Sequence, residues 1–274
     1  MPLSRQGDER TSRPPLLEIV VPAFNEEGRL PRGLMQLCAK LARMPFPTAV
    51  IVVDNNSTDR TAEVVKTWPP GPVPVRLVQC AISGKGAAVR AGLLGTTAPF
   101  AGFCDADMAT DLSAVDTALR LLLSGEPVVI GSRAHEDSVV ENRHSRVREL
   151  GAYGFRALAG VLVPGVSDTQ CGFKFFDGVL VREAAAALRT PGFAFDVELL
   201  ARCAGQGSRV REIPVRWRDM PGSRFSPARH TFGIVLELGR IWLRLRVQPR
   251  TAVRPAWEPP LDPVGTPLDP VGYP

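Results

Sequence analysis

A chain of 274 residues with 45% hydrophobic and 22% charged residues has the composition of a globular protein with a filled core, which excludes the fibrous and disordered classes. The formal charge of +5 permits an anionic partner but does not by itself choose among nucleotide, phospholipid and nucleic acid. Five cysteines, odd in number and never in a C-x-x-C, argue against a disulfide framework and a zinc site and point to a reducing, cytoplasmic setting. Neither a signal-peptide core nor a run of roughly 18 apolar residues occurs in the sequence.

From Leu16 the chain alternates short apolar runs with helical periods. "LLEIVVP" is followed by a helix through Leu30, Leu34, Leu37 and Leu41, then "AVIVVD", a helix after Asp59 and "VPVRLVQ". A helix after Lys85, the strand "PFAGFCDAD", a helix from Leu112 to Leu123 and "PVVIGSR" complete the alternation. Runs apolar on both faces and separated by helices predict a Rossmann-like α/β fold, a mostly parallel sheet flanked by helices. After Arg133 come a charged loop, a helix containing "YGFRALAGVLV", the segment "SDTQCGFKFF", an amphipathic helix "AFDVELLARCAG" and an edge strand "RVREIPVRWRD". The last predicted helix, residues 231–246, sets Ile234, Leu238, Ile241 and Leu245 beside Arg240, Arg244 and Arg246, a pattern shared by core helices and by helices lying on an anionic surface. These boundaries predict a disordered start (1–15), one domain (16–247) in two halves (16–133 and 134–247), which the resemblance described below would make the nucleotide-sugar half and the acceptor half, and a disordered Pro-rich tail (248–274).

In such sheets ligands bind at the carboxyl ends of the strands. There the sequence places "PAFNEE", "DNNSTD", "SGKG", "DAD" and "GSR". Asp105 and Asp107, two apart at a strand end, suit a hard divalent cation, which would neutralise the pair and bridge to a diphosphate. Lys85 lies between glycines at a helix start, an anion-binding position, without the spacing of a P-loop. Lysine occurs only at positions 40, 66, 85 and 174, so arginine is the default cation. Asp54 ends a strand within reach of a base or ribose, and Arg133 can clamp a diphosphate. His135, His144 and His230 share no metal-ligand spacing.

In order, "VVPAFNEEGRL", "VVDNNSTDRT", "GKGAAVRAGL", "DADMATDL", "IGSRAH", "DTQCGFKFF" and "FAFDVELL" resemble the family-two glycosyltransferases of GT-A fold from about Leu17 to Arg246. The nearest branch is that of the dolichyl-phosphate β-glucosyltransferases and other polyprenyl-phosphate hexosyltransferases. The resemblance implies that Pro22, Phe24, Glu26 and Asp54 surround the nucleoside and that Asp105 and Asp107 hold Mg2+ or Mn2+ and the diphosphate. Lys85 and Arg133 would contact donor or acceptor phosphates. Asp168, Gln170, Lys174 and Asp196 would lie on the acceptor side, with Asp168 and Asp107 catalytic and Arg224 closing over the phosphates. The implied reaction is inverting transfer of a hexose from a nucleotide diphosphate sugar, UDP-glucose before GDP-mannose, to a polyprenyl phosphate. Asn55 replaces the second carboxylate of the usual Asp-Asp pair. The N-terminal anchor of the eukaryotic glucosyltransferases is not seen in the sequence, so the expected location is cytoplasmic, peripheral on an anionic membrane surface.

The alternative on the same donor chemistry is a soluble small-molecule or glycan acceptor, for which Asp168 or Asp196 would serve as base. A nucleotidyltransferase is disfavoured by the want of a basic Gly-rich loop after the first strand. Nucleic-acid binding is not expected, because the aromatic residues fall at core positions rather than as stacking platforms.

Overall fold

The computed structural model describes residues 14–141, 155, 158–219 and 227–247, with side chains of the last segment from Leu236 onward. The two termini expected to be disordered, His144 and Arg224 therefore lie outside the described residues, apart from positions 14 and 15. The alternating first half becomes β1 (Leu17–Ala23), α1 (Leu30–Leu41), β2 (Thr48–Asp54), α2 (Thr61–Lys66) and β3 (Val75–Gln79). It continues as α3 (Lys85–Leu94), β4 (Phe100–Cys104), α4 (Ala114–Leu123) and β5 (Val128–Ser132). The second half supplies β6 (Val139–Glu141), β7 (Phe173–Asp177), α5 (Gly178–Ala187), α6 (Phe195–Gly205), β8 (Val210–Pro214), β9 (Arg216–Arg218) and α7 (Pro227–Val247). Helix α5 had no counterpart in the sequence reading, because its "VREAAAA" is short and its small alanines carry a weak apolar stripe.

Seven strands form one sheet in the order β3-β2-β1-β4-β7-β5-β8, and β6 pairs with β9 in a separate ribbon. β7 is antiparallel to both β4 and β5, whereas the other pairings of the large sheet are parallel. The expected mostly parallel sheet is therefore observed, with β8 at its edge as the alternation of "RVREIP" requires. β1, β2, β4 and β5 are buried nearly throughout, since each faces apolar residues on both sides. One core packs Val20, Ile51 and Phe103 against α3, α5, α6 and α7. The other packs Ile19, Val50 and Val52 against α1 and α4. Leu30, Leu34, Leu37 and Leu41 are all buried, as their helical spacing demands.

The last helix presents its predicted stripe inward: Leu238 and Ile241 are buried in the first core, with Leu245 packed against it. Arg244 turns toward the buried Glu198, at 3.8 Å. The surface-facing residues are instead Leu236, Leu243 and Val247, with Trp242, Arg240 and Arg246 beside them. The two faces should separate in a denaturation experiment. Ile241→Ala is expected to cost about 2–5 kcal/mol in urea unfolding, whereas Leu243→Ala should change stability by no more than about 0.5 kcal/mol.

Candidate active site

Three rim loops, after β1, β2 and β4, carry the described non-glycine residues with left-handed backbone: Asn25 (φ 53°), Asn56 (φ 61°) and Met108 (φ 49°). Such conformations persist only when their surroundings over-determine them. Here the first two of these loops are laced together by short polar side chains. Asn25 N–H donates to Ser57 Oγ (2.9 Å), Thr58 N–H to Asn25 Oδ1 (2.7 Å), and Glu26 N–H to Thr61 Oγ1 (2.7 Å). Ser57 belongs to this lacing, as does Asp59, whose Oδ2 accepts from Glu27 N–H at 3.1 Å. Buried Asp54 accepts from Ser57 N–H at 3.3 Å, half-buried Pro22 precedes the loop, and Phe24 is 44% exposed at its tip. Glu26 is held by Arg29 through both oxygens, at 2.5 and 2.7 Å.

Asn55 is a structural residue. It is buried, donates through Nδ2 to Ile82 O (2.7 Å) and accepts at Oδ1 from Gly84 N–H (2.7 Å). An aspartate could satisfy only one of these, so the residue is a requirement of the 80–84 loop rather than a nucleoside carboxylate lost.

β4 ends at Cys104, and Asp105 and Asp107 stand in the following turn, closed by Met108 N–H to Asp105 O at 3.1 Å. The carboxylates are brought together by this turn, not by strand alternation as the spacing suggested. Lys85 reaches Asp105 Oδ1 at 2.5 Å from the N-terminus of α3. Burial works against the charged Lys85 ammonium, but the carboxylates of Asp105, Asp196 and Asp107 overcome it and raise its pKa. Asp107 is shifted upward, first by burial and then by the like charge of Asp105, against the N–H of Ala109 and the cations Arg29 and Lys85. A pair of hard oxygen ligands whose mutual repulsion already favours neutralisation fits a divalent cation. Among the described residues no third His, Cys, Asp or Glu joins them, the sparse donor set from which magnesium completes its shell with substrate phosphate and water. Gly172 lies directly behind the pair: a Cβ there would fall 2.0 Å from Asp105 Oδ2.

At the next rim position Arg133 forms a bidentate pair with Asp168, Nε to Oδ2 at 2.7 Å and Nη2 to Oδ1 at 2.9 Å, reinforced by its own N–H at 3.0 Å. Burial would raise Asp168, but Arg133 outweighs it and holds the carboxyl down at about 2. Arg133 also lies over the Trp217 ring, 5.5 Å from its centre. The loop bearing Asp168 is oriented from beneath by Glu212, which accepts from Ser167 N–H (2.9 Å) and Asp168 N–H (3.0 Å). Gln170 is half-buried in the same loop, its N–H on Asp168 Oδ1 at 3.1 Å.

Three of the expected acceptor-side residues, Asp168, Lys174 and Asp196, are buried. Lys174 is fully buried, and its Nζ bonds Asp196 Oδ1 and Cys171 O, each at 2.6 Å. As they stand, the buried side chains of Lys174 and Asp196 are paired with each other. Burial raises the Asp196 carboxyl, opposed by Lys174 and Lys85. Sequence reasoning missed Arg29 and Glu212. Nothing in the text marked Arg29, whereas Glu212 could have been noticed as an inward carboxylate in an otherwise apolar alternation.

The pattern of Glycosyl transferase family 2 matches residues 18–183. The dolichyl-phosphate beta-glucosyltransferase of Drosophila melanogaster is 36% identical over 250 residues, covering 84% of this chain and 76% of that one. The Homo sapiens enzyme of the same name is 34% identical over 247 residues, with 84% and 75% covered. Among solved structures, glucosyl-3-phosphoglycerate synthase from Mycobacterium tuberculosis, in complex with Mn2+, UDP and glucosyl-3-phosphoglycerate, superposes with a TM-score of 0.61 at 20% identity, covering 89% of this chain and 84% of that one. The fold is that of the GT-A glycosyltransferases. The chain belongs to glycosyl transferase family 2.

The structural reading of Asn55 can be checked directly. Asn55→Asp removes the donor to Ile82 O, and the resulting unsatisfied carbonyl and buried charge should cost about 1–3 kcal/mol in denaturant unfolding. A variant as stable as the parent would contradict it.

Proposed function

We propose that the protein is a metal-dependent inverting hexosyltransferase whose donor is a nucleotide diphosphate sugar, UDP-glucose in the first place, and whose acceptor is a polyprenyl or dolichyl phosphate. The observation that carries the reading is the state of Asp168. A carboxylate clamped by Arg133, with a pKa near 2, is a weak base at neutral pH. A hydroxyl acceptor must lose a proton, whereas a phosphate monoester arrives as an anion and can attack without one. The relatives named dolichyl-phosphate beta-glucosyltransferase, 30–36% identical across most of the chain, support the same acceptor.

In this reading an acceptor phosphate oxygen forms a bond to the anomeric carbon as the bond from that carbon to the leaving diphosphate breaks. The diphosphate departs with the electron pair, and the configuration inverts. Magnesium or manganese, held by Asp105 and Asp107, would supply charge neutralisation at the diphosphate. Lys85, at the α3 N-terminus, adds a fixed positive charge to the same group. Asp54 and Glu26 orient the nucleoside, with Phe24 and Pro22 beside it. Arg133 faces the acceptor phosphate, with Asp168 fixing the plane of its guanidinium and Gln170 alongside. Arg224, outside the described residues, is the proposed closing cation.

Turnover of UDP-glucose and GDP-mannose with polyprenyl phosphate, products weighed by mass spectrometry, tests the assignment. A β-linked lipid phosphosugar is expected from UDP-glucose, lost with excess chelator and lost in Asp107→Ala without change in unfolding cooperativity. Full activity in chelator would overturn the metal assignment, and turnover confined to soluble hydroxyl acceptors would overturn the acceptor.

A lipid phosphate requires contact with a bilayer, and no helix among the described residues is long and apolar enough to cross one. The surface proposed for peripheral docking, on the cytoplasmic face, is the outer side of α7, where Leu236, Leu243 and Val247 stand exposed with Arg240 and with Arg246, stacked over Trp242 at 3.7 Å. Sedimentation with anionic vesicles should be strong at low salt and weaken as salt rises. Arg240→Gln with Arg246→Gln should reduce it by about 1 kcal/mol per residue. Arg244→Gln, on the Glu198 side, should leave it unchanged. Protein that stays in the supernatant at low salt would remove this surface from consideration.

A further inference from the structure

Lys174 sits in the middle strand of the rim region with none of its surface exposed. A buried ammonium has to be paired and hydrogen-bonded, and apolar residues of similar volume often serve a core as well or better. Core stability therefore gives no reason for a lysine here, so the reason lies in what its partners touch. On one side its Nζ bonds Cys171 O at 2.6 Å. The next residue, Gly172, forms the wall behind Asp105 and receives the Asp105 N–H on its carbonyl at 3.1 Å. On the other side the ammonium bonds Asp196 at 2.6 Å, at the start of α6. Phe195, the preceding residue, packs so closely on Gly86 that a Cβ there would lie 2.5 Å from its own Cβ, and Ala87 N–H donates to Pro191 O at 3.2 Å. The first turn of α3, which carries Lys85, is thus seated on the segment that leads into Asp196.

We infer that Lys174 is a positioning residue: one buried ammonium that draws together the Cys171–Gly172 segment behind Asp105 and the α6 start beneath Lys85, and so sets the 2.5 Å Lys85–Asp105 pair on which the donor diphosphate docks. The inference rests on the donor site proposed above but is independent of the acceptor. Asp196 shares the role, as the link between Lys174 and the α3 seat.

The test uses the full chain, with UDP and Mn2+ as the probe in calorimetry. Lys174→Met combined with Asp196→Asn removes both charges and leaves no lone buried ion. This double variant is expected to unfold cooperatively, to bind UDP in the presence of Mn2+ about 10–100-fold more weakly, the range found when outer-shell partners of metal ligands are replaced, and to lose kcat/KM in parallel. In a Lys85→Met background the same double change should have little further effect on UDP affinity, because the residue it positions is gone. A folded double variant that binds UDP like the parent overturns the inference. Should the double variant fail to fold, Asp196→Glu, which keeps the ion pair but lengthens its link to α6, is read the same way: weakened UDP binding supports the inference and unchanged binding overturns it. Failure of the parent itself to bind UDP with Mn2+ would instead overturn the donor-site reading.

Discussion

The geometry of the rim depends on one strand that runs against its neighbours. Parallel strands deliver only their carboxyl ends to a given edge of a sheet, together with the loops that follow them. Because β7 lies antiparallel between β4 and β5, with Phe173 opposite Cys104 and Lys174 opposite Ile130, it brings its N-terminal flank to that edge instead. Residues 167–172 therefore arrive between the Asp105 turn and Arg133. The close approach of Gly172 to Asp105 and the Arg133–Asp168 pair both follow from this insertion.

Outward from Lys174, across the elements packed around β7, opposite charges are paired in series. Lys174 is paired with Asp196, Asp196 acts on Lys85, and Lys85 is paired with Asp105, which repels Asp107. Each interior charge has an opposite neighbour, which offsets the cost of desolvation, while the outermost member, Asp107, carries the unfavourable balance. Charge of the opposite sign is thus most strongly drawn to the end of the series that opens to solvent.

Much of this was legible in the sequence, for reasons that can be stated residue by residue. Strands buried on both faces leave apolar runs such as "AVIVVD", and the spacing of Leu30, Leu34, Leu37 and Leu41 admits one helix face. The rim residues Asp54, Asp105 and Arg133 were visible because each ends or directly follows such a run, and Lys85 because glycines flank it at a helix start. What was not legible depended on contacts distant in sequence. Nothing local in "GFKFF" shows that Lys174 points into the core, since the same text on an edge strand would carry a surface lysine. The apolar stripe of α7 likewise has the same period whether it faces protein or lipid, and only the core around Ile241 decides. Asn55 was read by its missing charge, when its two-sided hydrogen bonding is what the loop uses.

The place of β7 also governs how the chain can be assembled. β4 and β5 are consecutive strands, yet they are not neighbours, and the slot between them waits for a segment made much later. Pairing over such a separation is slow because the intervening chain must be closed into a loop first. Until then the Phe-Ala-Gly-Phe-Cys strand offers a bare, apolar row of unpaired amides and carbonyls, a template for another copy of itself. The first half of the chain, through β5, is as a nascent chain the vulnerable part of the molecule. Solubility in the cell is then set by how promptly β7 emerges and fills the slot.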